Sequence, residues 1–194
     1  MIQIHNNILP KEQLLNIRQS ALDSGFGTWT PASNSFGYPS YKGMNWKGNH
    51  GAMHSALTRL VKTPIYPNSS FFRVASEDED KALIHSDRHD GNYTAIAYMS
   101  EDDDVPHGTA FYIHKSTGLL EMPPIEEMIE KGEHERWMED MKDYDKWEQL
   151  DFVRGLFGRM LIFSAPLFHK RVPETGFGTT PEDSRMIWVS HFFV

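Results

Sequence analysis

The sequence predicts a mainly β fold, an antiparallel sandwich or barrel with helices on one side. From Pro67 onward, short segments rich in β-branched and aromatic residues alternate with turn signals. No β-α-β periodicity separates them, which argues against parallel crossovers. Helical patterning is confined to the first quarter of the chain and to one charged internal stretch.

The elements follow in order. Residues 10–24 place Leu14, Leu15, Ile17, Ala21 and Leu22 on one helical face, with Pro10 at the start and Gly25 beyond the end. Residues 25–51 are rich in Gly, Ser, Asn and aromatics and read as a long ordered loop. Residues 54–62 read as a short second helix. Strands are expected at 70–75 (SFFRVA), 93–99 (YTAIAYM), 109–114 (TAFYIH), 160–165 (MLIFSA) and 185–194 (RMIWVSHFFV), with a further short one at 83–84. The charged stretch within about 115–150 reads as a helical insert with a solvated face, docked through Trp137, Tyr144 and Trp147. The whole reads as one domain over 1–194. Residues 1–66 give helical and loop support, and 67–194 form the β core.

Composition bounds the function. A chain of 194 residues can bury roughly 70% of its extended surface, enough for one real core. Nineteen basic against 27 acidic residues leave a net charge of −8, which argues against nucleic acid or an anionic membrane as partner. No apolar run approaches a bilayer span, and the N-terminus has no signal-peptide pattern. The absence of cysteine excludes disulfides, iron–sulfur clusters and a thiol nucleophile, and it fits a cytoplasmic setting.

The sharpest local feature is His85-Ser86-Asp87. On an extended segment, residues i and i+2 share a face, so an imidazole and a carboxylate can reach one metal ion. Ten His and 13 Asp give roughly 0.7 such pairs by chance, so the motif is weak alone. His169, just after the strand expected at 160–165, supplies a distant third ligand. Two His and one carboxylate on one face of an iron leave positions open for chemistry. His89, His107, His114 and His191 are competing histidines, His89 in a zinc-type variant of the site. Arg185 opens an otherwise apolar strand, where a charge needs an anionic partner. Its planar fork suits a carboxylate. A rim ion pair with Glu182 or Asp183 is the plain alternative.

Taken in order, FFRVA, HSD at 85–87, YTAIAYMS, the turn EDDDVPHGTAF, LIFSAPLFHKRVP and SRMIWVSHFFV resemble the 2-oxoglutarate/Fe(II)-dependent oxygenases, near their prolyl-hydroxylase-like branch, in its small bacterial or phage form. The resemblance covers about 67–194 apart from the insert. It implies a double-stranded β-helix (jelly-roll, cupin-like) core. It implies Fe(II) held by His85, Asp87 and His169, and 2-oxoglutarate as cosubstrate with its far carboxylate on Arg185. Arg171 is a rival anchor, because the loop ETGFGTTPEDS lengthens the gap from His169 to Arg185. Thr109 and Tyr93 each offer a hydroxyl to the same carboxylate, with packing as their other role. The implied reaction consumes molecular oxygen, releases succinate and carbon dioxide, and hydroxylates a C–H bond. The implied substrate is a small molecule or peptide, such as a free or peptidyl amino-acid side chain. Two other readings compete: a non-catalytic jelly-roll binding module, and a cupin-like metalloenzyme that does not use 2-oxoglutarate.

Overall fold

A computed structural model describes residues 1–23, 28–29, 41–44, 50–78, 81–101 and 104–194. Its strands are β1 (Ile2–His5), β2 (Thr28–Trp29), β3 (Tyr41–Met44), β4 (Tyr66–Ala75), β5 (Tyr93–Tyr98), β6 (Gly108–His114), β7 (Trp147–Arg154), β8 (Met160–Ser164), β9 (His169–Val172) and β10 (Arg185–Phe193). The larger sheet runs β1-β8-β5-β10-β4-β3-β2 and the smaller one β7-β6-β9, with every pairing antiparallel. An isolated bridge from His85 to His169 adds a rung beside β9. The result is a double-stranded β-helix. The short strand expected at 83–84 is reduced to that bridge.

Alternation along β10 shows how the sequence builds three layers. Met186, Trp188 and Phe192 face α1 (Lys11–Asp23) and α2 (Gly51–Val61) in one apolar cluster, with Leu14, Ile17, Met53 and Leu57. Ile187 and Val189 point the other way, into a second cluster with Phe111, Val153 and Phe163 between the sheets. Period-two alternation thus sends one face of a single strand to the helices and the other into the barrel. On α1, Arg18 is buried although it lies outside the expected apolar set. Its Nε donates to Met99 O at 3.1 Å and its Nη2 to Glu182 O, which ties the helix to the end of the barrel.

The insert needs a correction. Helices α3 (Ile125–Glu130) and α4 (His134–Asp140) and a 3-10 turn at Tyr144–Lys146 are helical as expected, but Trp147–Arg154 is β7, an edge strand of the smaller sheet. The helix formers Glu148 and Gln149 point to solvent there. Trp147 is buried against Trp137, Met141 and Phe168, and Val153 turns into the barrel. Pairing with β6 and burial of Trp147 and Val153 at the two ends override the local helical preference. The residues Trp137, Tyr144 and Trp147 do dock the insert, in the third apolar cluster. Strands β1 and β9 were also not anticipated. Apart from the backbone of β2 and β3 and the last two residues, which lead into α2, the loop expected over 25–51 lies outside the described residues.

Candidate metal centre

The site is assembled where the segment after β4 meets β9. His85 N donates to His169 O at 3.0 Å and His169 N donates to His85 O at 2.9 Å, so the two histidines are cross-strand partners. Their ring centroids lie 4.4 Å apart. Asp87, two residues on, points to the same side and is fixed by its N–H on Ala165 O at 2.8 Å.

The imidazoles are oriented by one device used twice. His85 Nδ1 lies 2.9 Å from Leu83 O, and His169 Nδ1 lies 2.9 Å from Leu167 O. A carbonyl can only accept, so each Nδ1 carries its proton and each neutral ring presents the bare Nε2. Both Nε2 atoms face Asp87. His85 Nε2 is 3.7 Å from Oδ1, and His169 Nε2 is 3.4 Å from Oδ2. Ligand atoms of these three residues lie within 4.8 Å of one another. Enclosure by the surrounding chain and the neighbouring His169 push the His85 imidazole down to about 4, although 36% of its side chain is exposed. It is therefore neutral near pH 7, the form that binds metal. Burial alone would raise the Asp87 carboxyl. His169 and His191 outweigh it and hold the group well below the usual carboxylate range. Two imidazoles and one ionised carboxylate, converging by Nε2 and Oδ atoms, suit a divalent first-row metal with open positions.

Behind this centre the barrel interior is first apolar and then polar again. Phe111 and Phe163 pack around His169, with ring centroids at 6.4 and 4.7 Å. Further along, Tyr98 Oη and Thr109 Oγ1 are 2.9 Å apart, and both residues are buried. Arg185 is 2% exposed, and its Nη2 donates to Gly108 O at 3.3 Å. Gly108 has no room for a side chain, since a Cβ would meet Val153 O at 2.1 Å. Burial raises the Tyr98 phenol, opposed by Thr109 and Arg185. Arg171 is cross-strand partner to Thr109 and is itself buried, its Nε donating to Glu174 O at 2.8 Å.

Five of the six residues singled out by sequence therefore lie along one interior. His85, Asp87 and His169 sit at one end, and Thr109 and Arg185 at the other. Tyr93 does not join them. It packs with the α1 and α2 cluster and stacks on Phe192 at 5.7 Å. In β5 the inward positions are 94, 96 and 98, so a reading one residue out of phase put the hydroxyl on the wrong face. Thr94 and Tyr98 are the polar residues of β5 that face the site, and the alternation of YTAIAY carries that signal. Among the competing histidines, His114 lies between Trp137 and Trp147, and His107 is buried beside Tyr98 and Phe177. His89 borders a cleft behind the centre that Ser86 also lines. His191 reaches the site, with Nε2 3.5 Å from Asp87 Oδ2.

Comparison with known proteins rests on structure, since no family model and no curated protein matches the chain by sequence. The chain resembles the non-heme alpha-ketoglutarate-dependent carbocyclase SnoK from nogalamycin biosynthesis, with a TM-score of 0.60 and 13% identity over 98% of this chain and 78% of that one. It also resembles the non-heme alpha-ketoglutarate-dependent epimerase SnoN from the same biosynthesis, with a TM-score of 0.56 and 14% identity over 98% and 75%. A third similar structure is HygX from Streptomyces hygroscopicus with nickel and 2-oxoglutarate bound, with a TM-score of 0.53 and 12% identity over 98% and 82%. At these identities the likeness establishes the double-stranded β-helix, nearly end to end in this chain. Among the described residues, no helix is long and apolar enough to cross a membrane.

Proposed function

We propose that this chain is a single-domain non-haem Fe(II)- and 2-oxoglutarate-dependent oxygenase that hydroxylates an unactivated C–H bond of a small molecule or an amino-acid side chain, free or peptidyl. The observation that carries the reading is the convergence of His85 Nε2, His169 Nε2 and the Asp87 carboxylate in one barrel that ends on a buried arginine. The similar structures named above add support, since their names describe alpha-ketoglutarate-dependent enzymes and, for HygX, bound 2-oxoglutarate.

In this reading His85, Asp87 and His169 hold the metal. Fe(II) with 2-oxoglutarate and molecular oxygen supplies the oxidising chemistry, releasing succinate and carbon dioxide. Arg185 anchors the far carboxylate of 2-oxoglutarate by charge-assisted bonds, with Thr109 and Tyr98 as hydroxyl partners. Arg185 is preferred to Arg171 because Tyr98 and Thr109 pair directly beside it and its field already acts on Tyr98. Phe111 and Phe163 keep water from the metal side of the barrel. Carbocyclisation and epimerisation, named for SnoK and SnoN, are the alternative outcomes at the substrate carbon.

The test is turnover of 2-oxoglutarate. Wild-type protein with Fe(II) and air should form succinate slowly without substrate and faster with the right one, and Asp87→Ala should form none. Succinate formation that is equal in both proteins would exclude this centre as its source.

A further inference from the structure

A third imidazole reaches the Asp87 carboxylate, from a strand that contributes none of the three ligands assigned above. His191 lies on the inward face of β10, in phase with Ile187 and Val189, and is 7% exposed. Its neighbours across the sheet are Ser69 on β4 and Thr94 on β5. Ser69 Oγ lies 2.7 Å from His191 Nδ1. His191 Nε2 lies 3.5 Å from Asp87 Oδ2, and Thr94 Oγ1 donates to that same oxygen at 2.8 Å. One rung of the larger sheet, Ser69–His191–Thr94, thus ends on a single carboxylate oxygen. Among the described residues, no hydrogen bond reaches Oδ1, which faces His85 Nε2 at 3.7 Å.

We propose that His191 is a positioning residue, which Ser69 orients and which, with Thr94, holds the Asp87 carboxylate in the orientation that faces both His85 and His169. The inference rests on the assignment of His85, Asp87 and His169 as the metal ligands. A carboxylate tethered at one oxygen cannot swing away from the two imidazoles, so the ligand set is held ready before a metal arrives. Two apolar inward neighbours, Ile187 and Val189, show that packing alone would favour an aliphatic residue at 191. Asp90 is the other charged group facing His191, and ligand atoms of Asp87, Asp90 and His191 also lie within 4.8 Å of one another. A second cation among those three is the competing use of the same atoms.

The experiment is an anaerobic Fe(II) titration of the full chain against a competing chelator, paired with absorption spectra of the Co(II)-loaded protein. His191→Phe should weaken Fe(II) binding about 10–100-fold, the range for an outer support of a ligand, and should change the intensity of the cobalt bands. His191→Gln, whose amide reaches the Nε2 position, should recover most of both. Ser69→Ala, a mild change at the outer end of the rung, should weaken binding several-fold and decides the matter if His191→Phe does not fold. Unchanged affinity in His191→Phe or in Ser69→Ala would overturn the proposal, and so would a Gln variant no better than the Phe variant. A second Fe(II) equivalent in wild type that Asp90→Asn removes would overturn it in favour of a second cation. Failure of wild type to bind any metal overturns the underlying assignment as well, and shows before any variant is made.

Discussion

Strand β10 presents two regions built from adjacent residues under opposite rules. Its outer face, Met186, Trp188 and Phe192, is fully buried against α1 and α2. The polar groups there are tied up locally, as where Trp188 Nε1 donates to His50 Nδ1 at 2.9 Å. Its inner face carries Arg185 and His191 at either end of Ile187 and Val189, with His191 facing Asp87 and Arg185 acting on Tyr98 of the neighbouring β5. Both faces are buried, yet among the residues of β10 itself only the inner face carries ionisable groups, Arg185 and His191. Burying charge works against stability unless each group is paired. The inner face therefore works against stability, whereas the outer face supplies it.

The comparison predicts which variants change folding and which change ligands. The largest contrast is between His169→Ala and Trp188→Ala. His169→Ala should abolish stoichiometric Fe(II) binding, measured anaerobically, while the fold survives. Trp188→Ala should cost about 3–5 kcal/mol in urea unfolding of the metal-free protein, because a large side chain leaves a cavity in the core. It should leave iron affinity close to wild type in whatever fraction stays folded. Loss of the fold in the first variant, or of iron affinity in the second, would break the division between the faces.

Arg185→Ala comes next. Leaving a carboxylate poorly paired in a partly dry site should cost about 3–5 kcal/mol. Affinity for 2-oxoglutarate should fall about a hundredfold or more, while affinity for Fe(II) alone stays put. Arg185→Lys should also weaken 2-oxoglutarate, since an ammonium cannot form the bidentate fork. If Arg171→Ala is the damaging variant instead, the anchor is on β9.

A smaller effect is expected on the pH dependence of stability. His85 is held at about 4 in the folded chain against an ordinary 6.5. Between those values the unfolded chain binds the proton more readily, so this group lowers stability as pH falls from 6.5 to about 4 and adds no further loss below. Asp87 acts lower. Its depressed carboxyl stabilises the fold above the ordinary carboxylate value of 3.8, a contribution lost as pH falls through the folded value. Denaturant unfolding of the metal-free protein from pH 4 to 7 should therefore show a slope that His85→Gln flattens. An unchanged slope would mean that His85 is as well hydrated folded as unfolded.

The smallest expected effect belongs to Tyr93→Phe, which removes a hydroxyl from the outer face and should not alter 2-oxoglutarate binding. Tyr98→Phe, on the inner face, should weaken it measurably in the same isothermal titration. Reversal of that order would undo the phase assigned to β5.

The fold was legible where β-branched and aromatic runs lie between turn residues. That describes β5, β6, β8 and β10, which are buried on both faces, so their existence was legible and their phase was not. It was illegible at Trp147–Arg154, where outward Glu, Gln and Asp mimic a helix and only contacts from other elements reveal a strand. The pairing of His85 with His169 needed a contact between distant segments that spacing cannot give; the place of His169 after a strand suggested it, and the resemblance in motif order strengthened it. Arg185 was visible locally, as a charge heading an apolar run. Thr94 and Tyr98 were missed, and His191 was weighed only as a rival ligand, for a different reason: a polar residue within a strand acquires meaning only once its facing direction is known.

The central claim is that one centre in this barrel binds Fe(II) and 2-oxoglutarate together. Its most direct test is an anaerobic titration of the protein with Fe(II) and then 2-oxoglutarate, followed in the visible spectrum. The account predicts a metal-to-ligand charge-transfer band that saturates at one equivalent of iron and needs both additions. It should be absent from Asp87→Ala and shifted to higher 2-oxoglutarate concentrations in Arg185→Ala. Tight iron binding with no band at any 2-oxoglutarate concentration would contradict it.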